Sequence, residues 1–370
     1  MRVLHLYKDY YPVVGGIENH IRMLAEGTVK RGVEVTVLVT NPTPQTEVRE
    51  IDGLKLIKAG RLATFSSTPL SFSLFSWVRR LKPDITHLHF PYPWGEIAHL
   101  ILGRGQKTVI TYHSDIVRQK NLLKLYRPVL GRLLARANRI IATSPNYIHS
   151  SPHLSKVADK CVVIPLGVDV EPFLKARTEA VRGLRSQRQP PLLLFVGLLR
   201  YYKGLEYLIR AMRDVNATLL VVGEGPMAEQ WRSLTASLHL QDKIFFFGRV
   251  ENDDLPTYYQ ACDLFVLPAS HRSEAFGAVQ VEAMACGKAV ISTDLGTGTS
   301  YVNVHGETGL VVPARDTEAL TVAINRLLSD EKLRTEMGRK GRERATREFS
   351  HEIMVDRVLA LYESLYESGE

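Results

Sequence analysis

LLLFVGLLRYYKGLEYLIRAM, residues 192–212, contains a complete strand–turn–helix unit. The apolar run Leu192–Gly197 is too short for a helix and closes on a glycine, so it reads as a buried strand. A polar turn with Arg200 and Lys203 follows, then Gly204 and a segment whose apolar residues recur at helical spacing. Strand, turn and helix in this order imply a parallel sheet covered by helices.

The alternation continues downstream. Thr218–Gly223, Ile244–Gly248, Leu264–Ala269 and Ala289–Asp294 read as strands, with Leu310–Val312 as a short last one. Between them lie helical segments Pro226–His239, Asp253–Ala261 and Gly277–Ala285, and a charged helical end begins at Asp316. Upstream, the basic stretch LKARTEAVRGLRSQRQPP, residues 174–191, breaks the rhythm as an inter-domain connection or a helix leading out of a domain. Before it the pattern runs a first time. Val3–Tyr7, Glu34–Thr40, Asp84–His89, Thr108–His113, Arg139–Ser144 and Cys161–Pro165 read as strands, with Ile17–Arg31 and Leu122–Ala137 as helices. The expected fold is α/β: two Rossmann-like α/β/α domains facing across a cleft, residues 1–170 and 171–350, with a C-terminal helix over 351–370.

Composition agrees with this and excludes other classes. A chain of 370 residues, 45% hydrophobic and 23% charged, can fill two globular cores. No apolar run approaches the ~18 residues of a membrane span. The opening MRVLHLYKDYYP lacks the long apolar segment of a signal peptide. Cys161, Cys262 and Cys286 stand alone, without zinc-ligand spacing, which argues against a disulfide scaffold or a cysteine-built zinc site. These features predict a soluble cytoplasmic protein. Charge is uneven: residues 1–170 hold 23 Lys and Arg against 12 acids, whereas the rest holds 24 against 27. The first half is therefore expected to face something anionic.

In open α/β sheets, chemistry gathers in the loops beyond the strands' carboxyl ends. The first such loop, KDYYPVVGG at 8–16, ends in Gly15 and Gly16 before a helix, a place where backbone and an anion can meet closely or where a tight turn suffices. His113 ends a strand and is expected to point into the cleft rather than the core, as a polar contact, an acid/base or a hydrogen-bond donor to a substrate hydroxyl, while His87 and His89 read as structural. Arg200 and Lys203 together could neutralise a diphosphate. Gly223-Glu224-Gly225-Pro226-Met227-Ala228 fits G-x-G-x-x-A formally, but on the second turn of its domain, where a glycine-rich helix entry explains it as well. The richest stretch is LFVLPASHRSEAFGAVQVEAMACGKAVISTD at 264–294. It places Glu274 in a loop and Glu282 inside the following helix, two carboxylates able to accept hydrogen bonds from vicinal sugar or ribose hydroxyls. The amides at Phe276–Val279 could hold a diphosphate. No two aspartates are spaced D-x-D, so positive charge at a diphosphate is expected from side chains and helix ends, with no metal required.

Taken together these motifs resemble the family 4 (group 1) retaining glycosyltransferases of GT-B fold, bacterial surface-polysaccharide type. The resemblance spans nearly the whole chain through GGIE at 15–18, TYHSD at 111–115, PLGVD at 165–169, VGLLRYYKG at 196–204, VVGEGP at 221–226 and the E-x7-E element Glu274–Glu282. It implies transfer of a hexose from a nucleoside diphosphate sugar with retention. It further implies His113, Lys203 and Glu274 as catalytic residues, with Lys203 and Arg200 at the diphosphate and Glu274 at the sugar hydroxyls. Phe276, Gly277 and Ala278 would give backbone contacts and Glu282 would hold the ribose. Gly15 and Gly16 would approach the diphosphate, Gly223 and Glu224 would line the donor, and Arg249 and Val250 would lie against the base. The C-terminal helix would cross back to the first domain. Two positions depart from the family: Leu198 stands where an arginine is usual, and Leu166 where an asparagine is.

The segment 115–139 carries seven basic residues against one acid, interleaved with apolar ones. Arg118, Lys120, Lys124, Arg127, Arg132 and Arg136 thus predict a basic amphipathic helix, either docking on an anionic inner leaflet or packing in the core with a solvated basic face. The expected partners are a nucleotide-sugar donor and a lipid-linked or saccharide acceptor, with no nucleic acid. Competing readings are an NAD-dependent oxidoreductase using Gly223–Ala228, a nucleic-acid binder and a sugar-nucleotide epimerase. The donor leans towards GDP-mannose, with UDP-glucose or UDP-N-acetylglucosamine as the alternative.

Overall fold

The computed structural model describes residues 1–368 except 14, 66–67 and 117–119, and the backbone alone over 120–124. The chain divides into two compact units, Met1–Gly167 with His351–Glu370, and Val168–Ser350.

Among the described residues the first unit contains an eight-stranded sheet. Its strands are β1 Arg2–Leu6, β2 Glu34–Asn41, β3 Glu47–Ile51, β4 Leu54–Gly60, β7 Ile85–Phe90, β8 Lys107–Tyr112, β9 Arg139–Ala142 and β10 Cys161–Val163; β5 Ala63–Phe65 and β6 Thr68–Leu70 form a separate ribbon. The order is β10-β9-β8-β7-β1-β2-β4-β3, parallel except for β3, which turns back on β4 through Asp52 and Gly53. Both turn residues have positive φ, the geometry of a two-residue hairpin. Helix Gly16–Val29 and the C-terminal helix His351–Glu367 pack together in this unit, where Arg31 pairs with Asp356 at 2.6 Å. Buried β7 carries the alternating pair His87 and His89.

The second unit has six parallel strands: β11 Leu192–Val196, β12 Thr218–Val222, β13 Ile244–Gly248, β14 Leu264–Leu267, β15 Val290–Asp294 and β16 Gly309–Pro313. Their order is β13-β12-β11-β14-β15-β16. β11, β12 and β14 are buried along their whole length, as expected of strands covered on both faces. The polar stretch 174–191 carries the helix Thr178–Ser186 within this unit. Its core joins Leu193, Phe195, Leu219, Val221, Trp231 and Ile291 into one apolar cluster.

Strand order reverses once in each sheet, between β1 and β7 and between β11 and β14. Such switch points leave a crevice at the strands' carboxyl ends, because the connecting helices on either side run to opposite faces.

Candidate functional site

In the second unit the two strands flanking the switch point are followed by the two most conspicuous charges. Lys203 lies in the turn after β11 and Glu274 in the loop after β14, and the lysine Nζ sits 2.6 Å from Glu274 Oε2. Both side chains are about nine-tenths buried. The backbone fixes this meeting. Ser270 N donates to Tyr202 O at 2.8 Å, and Arg315 Nε donates to Ser270 O at 3.0 Å. From the other side, Thr297 Oγ1 donates to Glu274 O at 2.8 Å and Gly298 N to Ala275 O at 2.7 Å. Burial opposes the charge on Lys203, but Glu274, Tyr202 and Glu282 outweigh it and raise its pKa above the ordinary lysine value. The ammonium is therefore charged throughout the neutral range.

Glu282 projects from the helix Ala278–Ala285, whose N-cap is Gly277. Tyr259 OH donates to Glu282 Oε2 at 2.6 Å, leaving Oε1 without a partner among the described residues. Burial pushes the Glu282 carboxyl up, while the Tyr259 hydrogen bond and the charge of Lys203 pull it down; the net shift is upward. Phe276 is buried and meets Phe349 edge-on, so what it can offer a ligand is backbone.

The turn after β12 gives its glycines a structural role. Gly223 and Gly225 have φ of +130° and +156°, and a Cβ on either would strike the neighbouring loop, 2.1 Å from Gly197 O and 2.6 Å from Leu199 O. Leu199 N donates to Glu224 O at 2.8 Å and Met227 N to Leu199 O at 3.0 Å. These glycines let the β12 loop clamp the loop that leads to Lys203, which accounts for G-x-G without a dinucleotide. Glu224 is exposed on this turn, and Gly248 lies beside it, with Arg249 exposed and Val250 half-buried beyond. Arg200 is exposed before the turn that buries Lys203, so the two cations expected to act together differ in environment.

The remaining expected residues belong to the first unit. Gly15 caps helix Gly16–Val29 in extended geometry, and a Cβ there would lie 2.1 Å from Glu18 Oε2. The bare backbone thus accommodates a carboxylate folded back over the helix start, whereas at Gly16 the space is open. His113 does not point outward. It is only 5% exposed, and its Nε2 lies 3.2 Å from His89 Nδ1, because it continues the inward face of β8 beside Thr111. His87 and His89, read as structural, share that layer with His5 and His20. The layer escaped the sequence reading because alternation alone does not show which face of a strand is covered.

In the basic segment, Arg118 and the side chains of Lys120 and Lys124 lie outside the described residues. Helix Lys120–Arg136 buries Tyr126, Leu130, Leu133 and Leu134, and exposes Arg127, Arg132, Arg136 and Leu125. Among the described residues its apolar side chains, apart from the exposed Leu125, are mostly buried, as in a core helix with a solvated basic face. No helix among the described residues is long and apolar enough to cross a membrane.

Each unit is a Rossmann-like α/β half with chemistry-bearing residues beyond its strand ends, and comparison with known proteins assigns the class. The Glycosyltransferase Family 4 model matches residues 14–172, and the Glycosyl transferases group 1 model matches residues 176–344. D-rhamnosyltransferase WbpZ of Pseudomonas aeruginosa is 39% identical over 93% of this chain and 91% of its own. O-antigen chain mannosyltransferase C of Escherichia coli is 37% identical over 100% of both chains. Among solved structures, sucrose-phosphate synthase of Thermosynechococcus elongatus superposes with a TM-score of 0.83 at 24% identity, covering 99% of each chain. The chain belongs to the group 1, family 4 glycosyltransferases and has the GT-B fold; it is a nucleotide-sugar-dependent hexosyltransferase.

Proposed function

We propose that this enzyme transfers a mannosyl residue from GDP-mannose, with retention, to a lipid-linked or saccharide acceptor in O-antigen-type polysaccharide synthesis, and that the diphosphate needs no metal. The observation that carries the reading is the buried Lys203–Glu274 pair at the β11/β14 switch point. Departure of the nucleoside diphosphate builds negative charge on the leaving phosphate and positive charge on the sugar. A preorganised ammonium at the phosphate stabilises the first without reorganisation at the moment of reaction. Glu274 holds that ammonium in place and presents a carboxylate to sugar hydroxyls. Glu282, oriented by Tyr259, keeps Oε1 for the ribose. No carboxylate is marked as a double-displacement nucleophile, so the acceptor oxygen attacks from the face the leaving group vacates. The relatives named for mannosyl and D-rhamnosyl transfer support a hexose donor of this kind.

The exposed Arg127, Arg132 and Arg136 favour electrostatic attraction to an anionic inner leaflet rather than insertion into it. Charge reversal at Arg132 and Arg136 should abolish binding to phosphatidylglycerol vesicles; unchanged binding would refute the docking. Donor and stereochemistry are tested by incubating the enzyme with GDP-mannose, UDP-glucose or UDP-N-acetylglucosamine and membrane lipid extract, with and without added magnesium. Consumption of GDP-mannose alone, independent of magnesium, with an α-linked product by NMR is expected. Turnover of a UDP-sugar, an inverted product or a strict magnesium requirement would contradict the reading.

A further inference from the structure

Five histidines from four elements meet in the interior of the first unit: His5 on β1, His87 and His89 on β7, His113 after β8, and His20 on helix Gly16–Val29. All are at most 5% exposed. Register explains the meeting: His5 pairs with His87, His89 with Thr111, and His113 N donates to Phe90 O, so the imidazoles share one face of the sheet. His87 is satisfied on both nitrogens, by Tyr362 OH at 2.5 Å and Thr111 Oγ1 at 2.7 Å. His89 meets His5 and His113, but the other three are not fully satisfied: His20 has no partner on either nitrogen, and His5 Nε2 and His113 Nδ1 are also buried without one. A buried polar nitrogen left unpaired costs about 1–3 kcal/mol, so leaving four in one layer is unusual.

We infer that His20, His89 and His113 form a binding site for a divalent transition metal of the zinc class. One nitrogen from each falls in a group whose members all lie within 4.8 Å of one another. The His89 Nδ1–His113 Nε2 distance of 3.2 Å is close to the ~3.3 Å edge of a tetrahedron built on metal–nitrogen bonds of ~2.0–2.1 Å. His20 would gain a partner for a nitrogen that has none. The neighbouring imidazole supplies the outer support such ligands use: His89 Nε2 lies 3.0 Å from His5 Nδ1. Donation of the His89 Nε2–H to His5 leaves His89 Nδ1 as a lone pair facing inward, the tautomer coordination needs. Three neutral imidazoles suit zinc, cobalt or nickel rather than magnesium or calcium, which prefer oxygen. Its three ligands belong to the first unit, whereas Lys203 and Glu274 belong to the second.

The test uses the full-length chain without a histidine tag, stripped with dipicolinate and titrated with Co²⁺. One tight equivalent per chain with intense tetrahedral visible bands is expected, displaced by Zn²⁺ and unaffected by millimolar Mg²⁺. His20→Gln and His89→Gln should each lose the bands, whereas His149→Gln, on the exposed surface, should keep them. If a Gln variant fails to fold, the wild-type stoichiometry and spectrum decide alone. Absence of stoichiometric Co²⁺, octahedral weak bands only, or bands that survive in folded His20→Gln and His89→Gln would overturn the site.

Discussion

Beside the β1/β7 switch point lie buried imidazoles that their surroundings keep uncharged; at the β11/β14 switch point lies an ion pair, Lys203 with Glu274. Both sets of polar groups stand where strand order reverses, yet the interiors have solved their burial differently. A neutral imidazole can be buried against its own kind by giving up protonation. An ammonium cannot give up its charge in the same way, and the second unit holds Lys203 at the strand ends against a carboxylate. The difference separates a layer suited to lone-pair chemistry from a site suited to charge.

The sharpest way to break this contrast is to remove the charge. Lys203→Ala should lower turnover by about 10³-fold, measured as donor-dependent release of nucleoside diphosphate, while circular dichroism shows a folded chain. The unpaired Glu274 should cost about 3 kcal/mol of stability in denaturant. The double variant Lys203→Met with Glu274→Met should recover most of that stability and none of the activity. An active double variant would show the pair to be structural.

The first unit should lose stability in acid, in the same sense as a protein held by salt-bridged carboxylates. His5 and His20 titrate near 6.5 when unfolded and near 3 and 4 when folded. Their contribution is fully present above pH 6.5 and declines as pH falls towards those folded values, because the unfolded chain takes up protons first. Urea melts of chelator-stripped protein at pH 7.5 and 5 should show the drop, and His20→Phe should flatten it. A pH-independent wild type would contradict the burial of neutral rings.

Glu282→Gln is a smaller change on the second unit. Loss of a charge-assisted contact to ribose should raise KM for the donor about tenfold with kcat nearly unchanged, since the ribose is remote from the bond that breaks. Smaller still, and of opposite pH sign to the histidines, is Glu96, a buried carboxyl that burial pushes up to about 8 although it accepts from Tyr92 N. Its raised pKa contributes stability that is complete below about pH 4.5 and lost as pH rises through about 8. Glu96→Gln should therefore be more stable than wild type at pH 9, with the gap closing by pH 5.

The parallel strands were readable because Leu192–Val196, Thr218–Val222 and Leu264–Leu267 are continuous apolar runs between glycines or polar turns. The β3–β4 hairpin was not. Lys55 and Lys58 interrupt β4, β3 is largely exposed, and only the turn signal Asp52-Gly53 marks it. At the site, Lys203, Glu274 and Glu282 stand out by residue type and position after strands. Their supports do not, because Tyr259 reaches Glu282 and Thr297 reaches Glu274 across 23 residues each, and hydroxyl side chains carry no local mark of such a partner. The histidine layer depends on the register of His5 with His87, which exists only once the sheet is assembled.

The claim on which the enzyme reading stands is that Lys203 binds the diphosphate of a sugar nucleotide. Calorimetric titration of wild type and Lys203→Ala with GDP-mannose, UDP-glucose, UDP-N-acetylglucosamine and NAD, without added magnesium, tests it directly. Binding of GDP-mannose to the wild type and a loss of affinity of about 100-fold in the variant are expected, equivalent to about 2.7 kcal/mol. Equal affinity in the two proteins, or binding of NAD alone, would contradict it.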